Sequence, residues 1–178
     1  MKLFRVFSRS KNDDIAHRLY RVVVRQARLP VFYRDLAAPD TLDGRFDLIV
    51  LHLYLIANRL KGAGETAGEL QQRLMEIFFA DMDQSLREIG IGDLSVGKRV
   101  GEMADAAYGR IAVYDQAVEG GEQAVALALS RNVYRDDGLA EGATRLARYV
   151  LQQHAHLKCV GIDTILTGDV TFSEQSLE

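Results

Sequence analysis

The sequence predicts an all-α fold: a single globular domain of six or seven helices and no sheet, spanning residues 1–178. Three observations predict it. Both prolines, Pro30 and Pro39, fall in the first quarter, so nothing after Pro39 interrupts a helix by that route. Apolar residues recur at steps of three and four over long stretches, which is the period of a helix. Glycines and capping residues punctuate those stretches at helix-length intervals. A chain of 178 residues can bury one substantial core without disulfide or metal staples. The single cysteine, Cys159, has no partner for an internal disulfide or a thiolate cluster, which points to a reducing, intracellular setting. The longest strongly apolar run, Leu48 to Leu51, stops at His52, far short of the roughly 20 residues that span a bilayer. Met1 to Lys11 lacks the apolar stretch of a secretory leader. Membrane association is expected to be peripheral.

Net charge is only −3, but it is polarised: residues 1–34 carry nine basic side chains against Asp13 and Asp14, a local +7 that leaves −10 for the rest. After a basic lead over residues 1–12, Ser10 or Asn12 is expected to cap a first helix reaching about Arg28, with Asp13 and Asp14 in its first turn. Ile15, Leu19, Val22 and Val23 form its apolar face. Arg18, Arg21, Arg25 and Arg28 recur at three, four and three residues and form one guanidinium stripe. Such a stripe can grip anionic lipid head groups or RNA phosphates, or it can be a solvated helix face.

Leu29 to Pro39 reads as an extended connection. Thr41 or Asp43 caps a second helix that ends at Gly62 and Gly64, and its residues are apolar on nearly every side, which assigns it to the centre. Along it Arg45, His52 and Arg59 lie seven residues apart. They form either a polar groove or a hydrogen-bonded core histidine flanked by arginines that reach solvent. Thr66 to Glu69 has the pattern of a capping box, opening a third helix whose stripe of Leu70, Leu74, Ile77, Phe78, Met82, Leu86 and Ile89 stops at Gly90. Asp81 and Asp83 are about 200° apart on a helix and do not converge on one ion, whereas Asp83 and Arg87 form an ordinary i,i+4 pair. Asp81, Asp83, Arg87, Glu88 and Asp93 are expected to fix the junction to the next helix, with Asp93 accepting backbone hydrogen bonds.

Ser95 is expected to cap that fourth helix, whose apolar positions run from Val96 to Val118. Gly109, midway along it, predicts a close crossing by another helix. A short helix over 122–134 and a last long one over 139–159 follow. His154 and His156, two apart, face different sides, a poor arrangement for a metal. An apolar end at Phe172 precedes a polar tail at 173–178.

Several of these residues together carry a resemblance. Asp43-Gly44-Arg45-Phe46-Asp47 leads into Val50-Leu51-His52-Leu53. Phe78-Phe79-Ala80-Asp81-Met82-Asp83 follows, with Leu86-Arg87-Glu88-Ile89-Gly90-Ile91-Gly92-Asp93-Leu94. Val96, Lys98-Arg99-Val100, then Tyr108-Gly109-Arg110 and Tyr114 complete it. The segment 42–117 resembles the ubiquinol-cytochrome c chaperone family, assembly factors of the cytochrome bc1 complex, with Gly97 where the family commonly has proline. The resemblance implies an all-α protein without catalytic activity or cofactor that attends newly made cytochrome b. The absence of a transit peptide implies a bacterial member, cytoplasmic and peripheral to the inner membrane. Expected partners are cytochrome b and an anionic membrane surface or the ribosome, not DNA, with an accessory subunit left open. Expected partner contacts are Arg18, Arg21, Arg25, Arg28, Arg45, Asp81, Asp83, Arg87, Glu88, Asp93 and Arg110. The residues alone leave three rivals: an enzyme of unknown type, which would need a convergent acid/base pair that the sequence does not show; a haem or quinone carrier using His52, His154 or His156; and a helical scaffold of unknown partner.

Overall fold

A computed structural model of the chain describes residues 2–173, with side chains from residue 12 onward; the tail at 174–178 lies outside the described residues. The elements are α1 (Lys2–Ala27), α2 (Pro30–Arg34), α3 (Leu42–Leu60), α4 (Glu65–Glu88), α5 (Asp93–Glu119), α6 (Glu122–Leu129), a π-helical turn (Ser130–Tyr134), α7 (Glu141–Cys159) and α8 (Ile162–Ile165). Among the described residues there is no strand.

The helix that is apolar on almost every side does lie at the centre. All residues from Phe46 to Ala57 in α3 are buried, and α1, α4, α5 and α7 pack around it. Thr41 caps α3, its hydroxyl accepting from the Gly44 N–H at 3.1 Å. Truncating a fully buried leucine there, such as Leu51, costs about 2–5 kcal/mol through lost transfer energy and the cavity left behind. At the far end Phe172 meets the His52 ring edge-on, centroids 5.2 Å apart, so the chain's apolar end closes over α3.

Several expected boundaries move, each for a local reason. Ser10 and Asn12 lie inside α1 and not at its start. The Asn12 side chain donates to Glu69 of α4 at 3.3 Å and Asp13 pairs with Arg73, so these groups serve the α1–α4 contact instead of a cap. The capping box does not form. The helix starts at Glu65 after Gly64, whose φ of 101° suits glycine, and Glu69 is engaged by Asn12. Helix α5 starts at Asp93, two residues before Ser95, because the Ser95 N–H already bonds the Gly92 carbonyl at 2.8 Å. The connection expected to be extended contains α2, with Pro30 at its first position, where the missing N–H costs nothing.

Gly109 is not at a helix crossing. It is exposed, and a Cβ there would meet nothing within 4 Å. The close approaches are elsewhere. A Cβ on Gly44 would collide with the Pro39 carbonyl oxygen, and one on Gly142 with the Leu36 carbonyl oxygen and the Tyr134 hydroxyl. These two glycines let the 35–40 connection lie against the first turns of α3 and α7.

Candidate functional site

The guanidinium stripe arises because α1 is amphipathic in the ordinary way. Ile15, Ala16, Leu19, Tyr20, Val23 and Ala27 are buried against α3 and α4, which turns Arg18, Arg21, Arg25 and Arg28 to solvent. All four border one shallow groove, together with Val22, Val24, Tyr20, Asp81 and Gly168. Asp81 accepts the Tyr20 hydroxyl at 2.7 Å. Burial, with that carboxylate beside it, pushes the phenol well above its usual range. Arg28 also borders a second groove with Pro30, Tyr33, Arg34, Asp40 and Arg45. The basic face is therefore continuous from Arg18 to Arg45. Its far members are neutralised within the chain, Arg34 by Asp35 and Arg45 by Asp40, each at 2.7 Å.

The acidic residues around the α4–α5 junction divide between three places. Asp81 turns toward α1. Arg87 holds Asp83 at 2.5 Å and pairs with Asp93 across the turn, which Gly90 closes at a φ of 87°. Glu88 accepts from Gln84 at 2.8 Å on the surface. Asp93 meets Arg87's guanidinium across the turn, and among the described residues no backbone hydrogen bond to its carboxylate forms at the start of α5. Beside it Ile89 and Leu94 are 58% and 101% exposed, so the junction offers both charge and aliphatic surface.

Arg110 folds inward. Its Nε lies 2.8 Å from Asp47 Oδ1, and its guanidinium stands 5.4 Å from the Phe46 ring centroid. Arg135, one residue beyond the π-helical turn and left-handed at φ 58°, brings Nη2 to 2.8 Å from Asp47 Oδ2. The Asp47 carboxyl is fully buried. Both contacts are close but poorly aligned, leaving the Asp47 oxygens, Arg110 Nε and the Tyr114 hydroxyl without a well-formed hydrogen bond. Burial pushes the Asp47 carboxyl up to about 7, against the pull of the two guanidiniums. Sequence reasoning missed Arg135 altogether and named Asp47 only in passing.

The line through Arg45, His52 and Arg59 is not a groove. His52 is fully buried. Its Nδ1–H donates to the Leu48 carbonyl at 2.7 Å, and Nε2 accepts from the Tyr149 hydroxyl at 2.7 Å, which in turn accepts from Gln26 at 3.1 Å. Burial lowers the His52 pKa to about 4, so the ring is neutral and both nitrogens are taken. Arg59 donates to the carbonyls of Leu157 and Val160 and so caps the end of α7. His154 pairs with Asn58 at 3.0 Å and His156 with the Thr171 carbonyl at 3.1 Å, in separate places.

The fold and its surface define a helical bundle with a guanidinium face, an apolar and acidic helix junction, and buried polar groups tied to one another. Residues 34–172 match the family described as Ubiquinol-cytochrome C chaperone, and the chain belongs to that family. It is 26% identical over 170 residues to ubiquinol-cytochrome-c reductase complex assembly factor 1 of Xenopus laevis, covering 93% of this chain and 84% of that protein. It is also 26% identical over 168 residues to the Mus musculus protein of the same name, covering 92% of this chain but only 56% of the mouse protein. The crystal structure of the Cbp3 homolog from Brucella abortus superposes with a TM-score of 0.86 at 37% identity, covering 97% of this chain and 96% of that one.

Proposed function

We propose that this chain is a non-catalytic chaperone in assembly of the ubiquinol-cytochrome c reductase complex, one that binds newly made cytochrome b. The observation that carries the reading is the family match over 34–172, in a chain whose fold is shared nearly end to end with the Cbp3 homolog. On this reading the protein works in the cytoplasm at the inner-membrane surface, where a membrane protein is inserted as it is made. Among the described residues no helix is long and apolar enough to cross a membrane, so attachment would run through its faces. The contacts proposed are the arginines of α1 with Arg45 toward the membrane surface, and Asp83, Arg87, Glu88 and Asp93 at the α4–α5 junction toward the client. Arg110 and Asp81 would act from within, through Asp47 and Tyr20. A haem carrier built on His52 is disfavoured, because a ligand would first have to displace the Leu48 carbonyl or the Tyr149 hydroxyl in a sealed core.

The test is affinity purification of the protein from its native membranes in mild detergent. Unassembled cytochrome b is expected to co-purify, in larger amount when later subunits of the complex are withheld. Recovery of neither cytochrome b nor any other subunit of the complex would sink the reading. An absorbance spectrum of the same preparation reports whether haem accompanies the chaperone or its client.

A further inference from the structure

The four arginines of α1 are a run of like charge on one helix face. Elsewhere on the surface Arg34, Arg45, Lys61, Arg73, Arg87 and Arg148 meet carboxylates, and basic residues with no ion pair among the described residues, such as Arg99, Arg131 and Lys158, stand singly on separate elements. Among the described residues no carboxylate lies within ion-pair distance of Arg18, Arg21, Arg25 or Arg28. Each also stands one helical turn from the next, so three successive like-charge pairs repel along the stripe, by about 0.2–0.5 kcal/mol per pair. The one carboxylate that borders their groove, Asp81, is occupied by the Tyr20 hydroxyl. A folded chain that tolerates this repulsion and leaves it unpaired has an anion outside itself as the natural counter-charge.

We propose that this stripe lays α1 lengthwise on an anionic lipid surface, with the guanidiniums on head-group phosphates. Arg18 to Arg28 spans ten residues, about 15 Å of helix, so the contact is a line along the bilayer and not a single pocket. Lipid is favoured over RNA by what lies between the arginines. Val22 and Val24 line the same groove, half-buried, and supply aliphatic surface at the acyl boundary. Tyr20, the aromatic residue described along this groove, is buried with its hydroxyl committed, so the stripe itself offers no ring for base stacking; Tyr33, in the adjoining groove, is half-buried with its hydroxyl on the Ala27 carbonyl at 2.9 Å. Arg18 is also held in place, because its side chain packs over Gly168, whose φ of 81° and missing Cβ make room for it. The proposal adds a binding face to the chaperone reading and does not depend on which client is carried.

Sedimentation with vesicles of phosphatidylcholine alone, or with phosphatidylglycerol added, tests it. Binding is expected only to the anionic vesicles and should fade as salt rises from 0.1 to 1 M, where the screening length falls from about 10 to about 3 Å. Each surface arginine is worth about fivefold in partitioning, so changing all four to Gln should lower binding at least about a hundredfold. All four are exposed, so that variant should keep its helical circular dichroism and melting temperature. Changing all four to Lys keeps the charge and should keep most of the binding. Equal binding to neutral and anionic vesicles, or unchanged binding by the Gln variant, would overturn the proposal. So would a Gln variant that loses affinity for a single-stranded RNA oligonucleotide while its vesicle binding is unchanged, which would make RNA the partner. Cytochrome b capture in detergent, measured with the same variant, keeps the two readings apart: it should persist even where vesicle binding is lost.

Discussion

His52 and Asp47 lie five residues apart on α3, both fully buried, and their protonation pulls stability in opposite directions. Burial lowers the His52 pKa from 6.5 to about 4, so the folded state binds this proton less tightly than the unfolded chain. That contribution is present above pH 6.5 and is lost as pH falls toward 4. The Asp47 carboxyl is raised from 3.8 to about 7, so its contribution is complete below pH 4 and is lost as pH rises through 7. Between pH 4 and 6.5 the two offset one another. Replacing His52 with Gln removes one side of the balance, and the difference in stability between variant and parent should then change by a few kcal/mol across that window, the variant declining relative to the parent as pH rises. Urea denaturation at half-unit pH steps reads this, and parallel profiles would show that His52 does not titrate with unfolding. The histidine's core role was legible in the sequence as one of two alternatives, since an apolar helix leaves few places for an imidazole except against a partner. Its partner, Tyr149, was not, and neither was Arg135. Tyr149 lies 97 residues from His52 and Arg135 lies 88 from Asp47, and no local spacing reports a contact of that range.

At the scale of elements, what the sequence made legible was the existence and type of helices, because apolar period and terminators such as Gly62 and Gly90 act locally. Boundaries were harder to read where a capping residue had a better offer from another helix, as Asn12 and Glu69 had from each other. Glycine was misread for a related reason: its effect depends on what lies above it, and period alone does not report that. Gly109, in open space on α5, carries only the helix cost of glycine, so Gly109→Ala should stabilise the protein by up to about 1 kcal/mol. Gly142→Ala should do the opposite. Its Cβ would run into the Leu36 carbonyl and the Tyr134 hydroxyl, which itself donates to that carbonyl at 2.7 Å, and overpacking of this kind costs about 1–3 kcal/mol. Thermal melts of the two variants should therefore shift in opposite directions. A lower melting temperature for Gly109→Ala would mean that α5 is bent or packed in solution in a way that needs glycine there.

For the molecule as a whole, the parallel run of α1 and α4 sets the faces apart. Asp13 meets Arg73, and Tyr20 meets Asp81 seven residues further along α1 and eight further along α4, so the arginine stripe and the α4–α5 junction belong to one helix pair. The sequence showed both features and their charges, but not this register, which arises from side chains sixty residues apart. Two faces on one rigid pair suit a protein that holds a surface with one and a client with the other. The junction's ion pairs can be separated from folding because they are exposed: Arg87, Asp83 and Asp93 keep 47%, 38% and 87% of their side chains in solvent. Pairs that wet contribute about 1 kcal/mol or less, equivalent to a shift of about 2–4 °C in a chain of this size. The Arg87→Ala, Asp93→Ala double variant should thus melt within a few degrees of the parent. If the junction receives the client, the same variant should lower the amount of assembled ubiquinol-cytochrome c reductase in cells and reduce cytochrome b capture, while vesicle binding through the arginine stripe stays as it was. Normal assembly with an unchanged melting temperature would leave Arg87 as a clasp for the turn and move the client to another face. A large drop in melting temperature would instead show that the clasp holds the hairpin together, and capture would then have to be compared at a temperature where both proteins are folded.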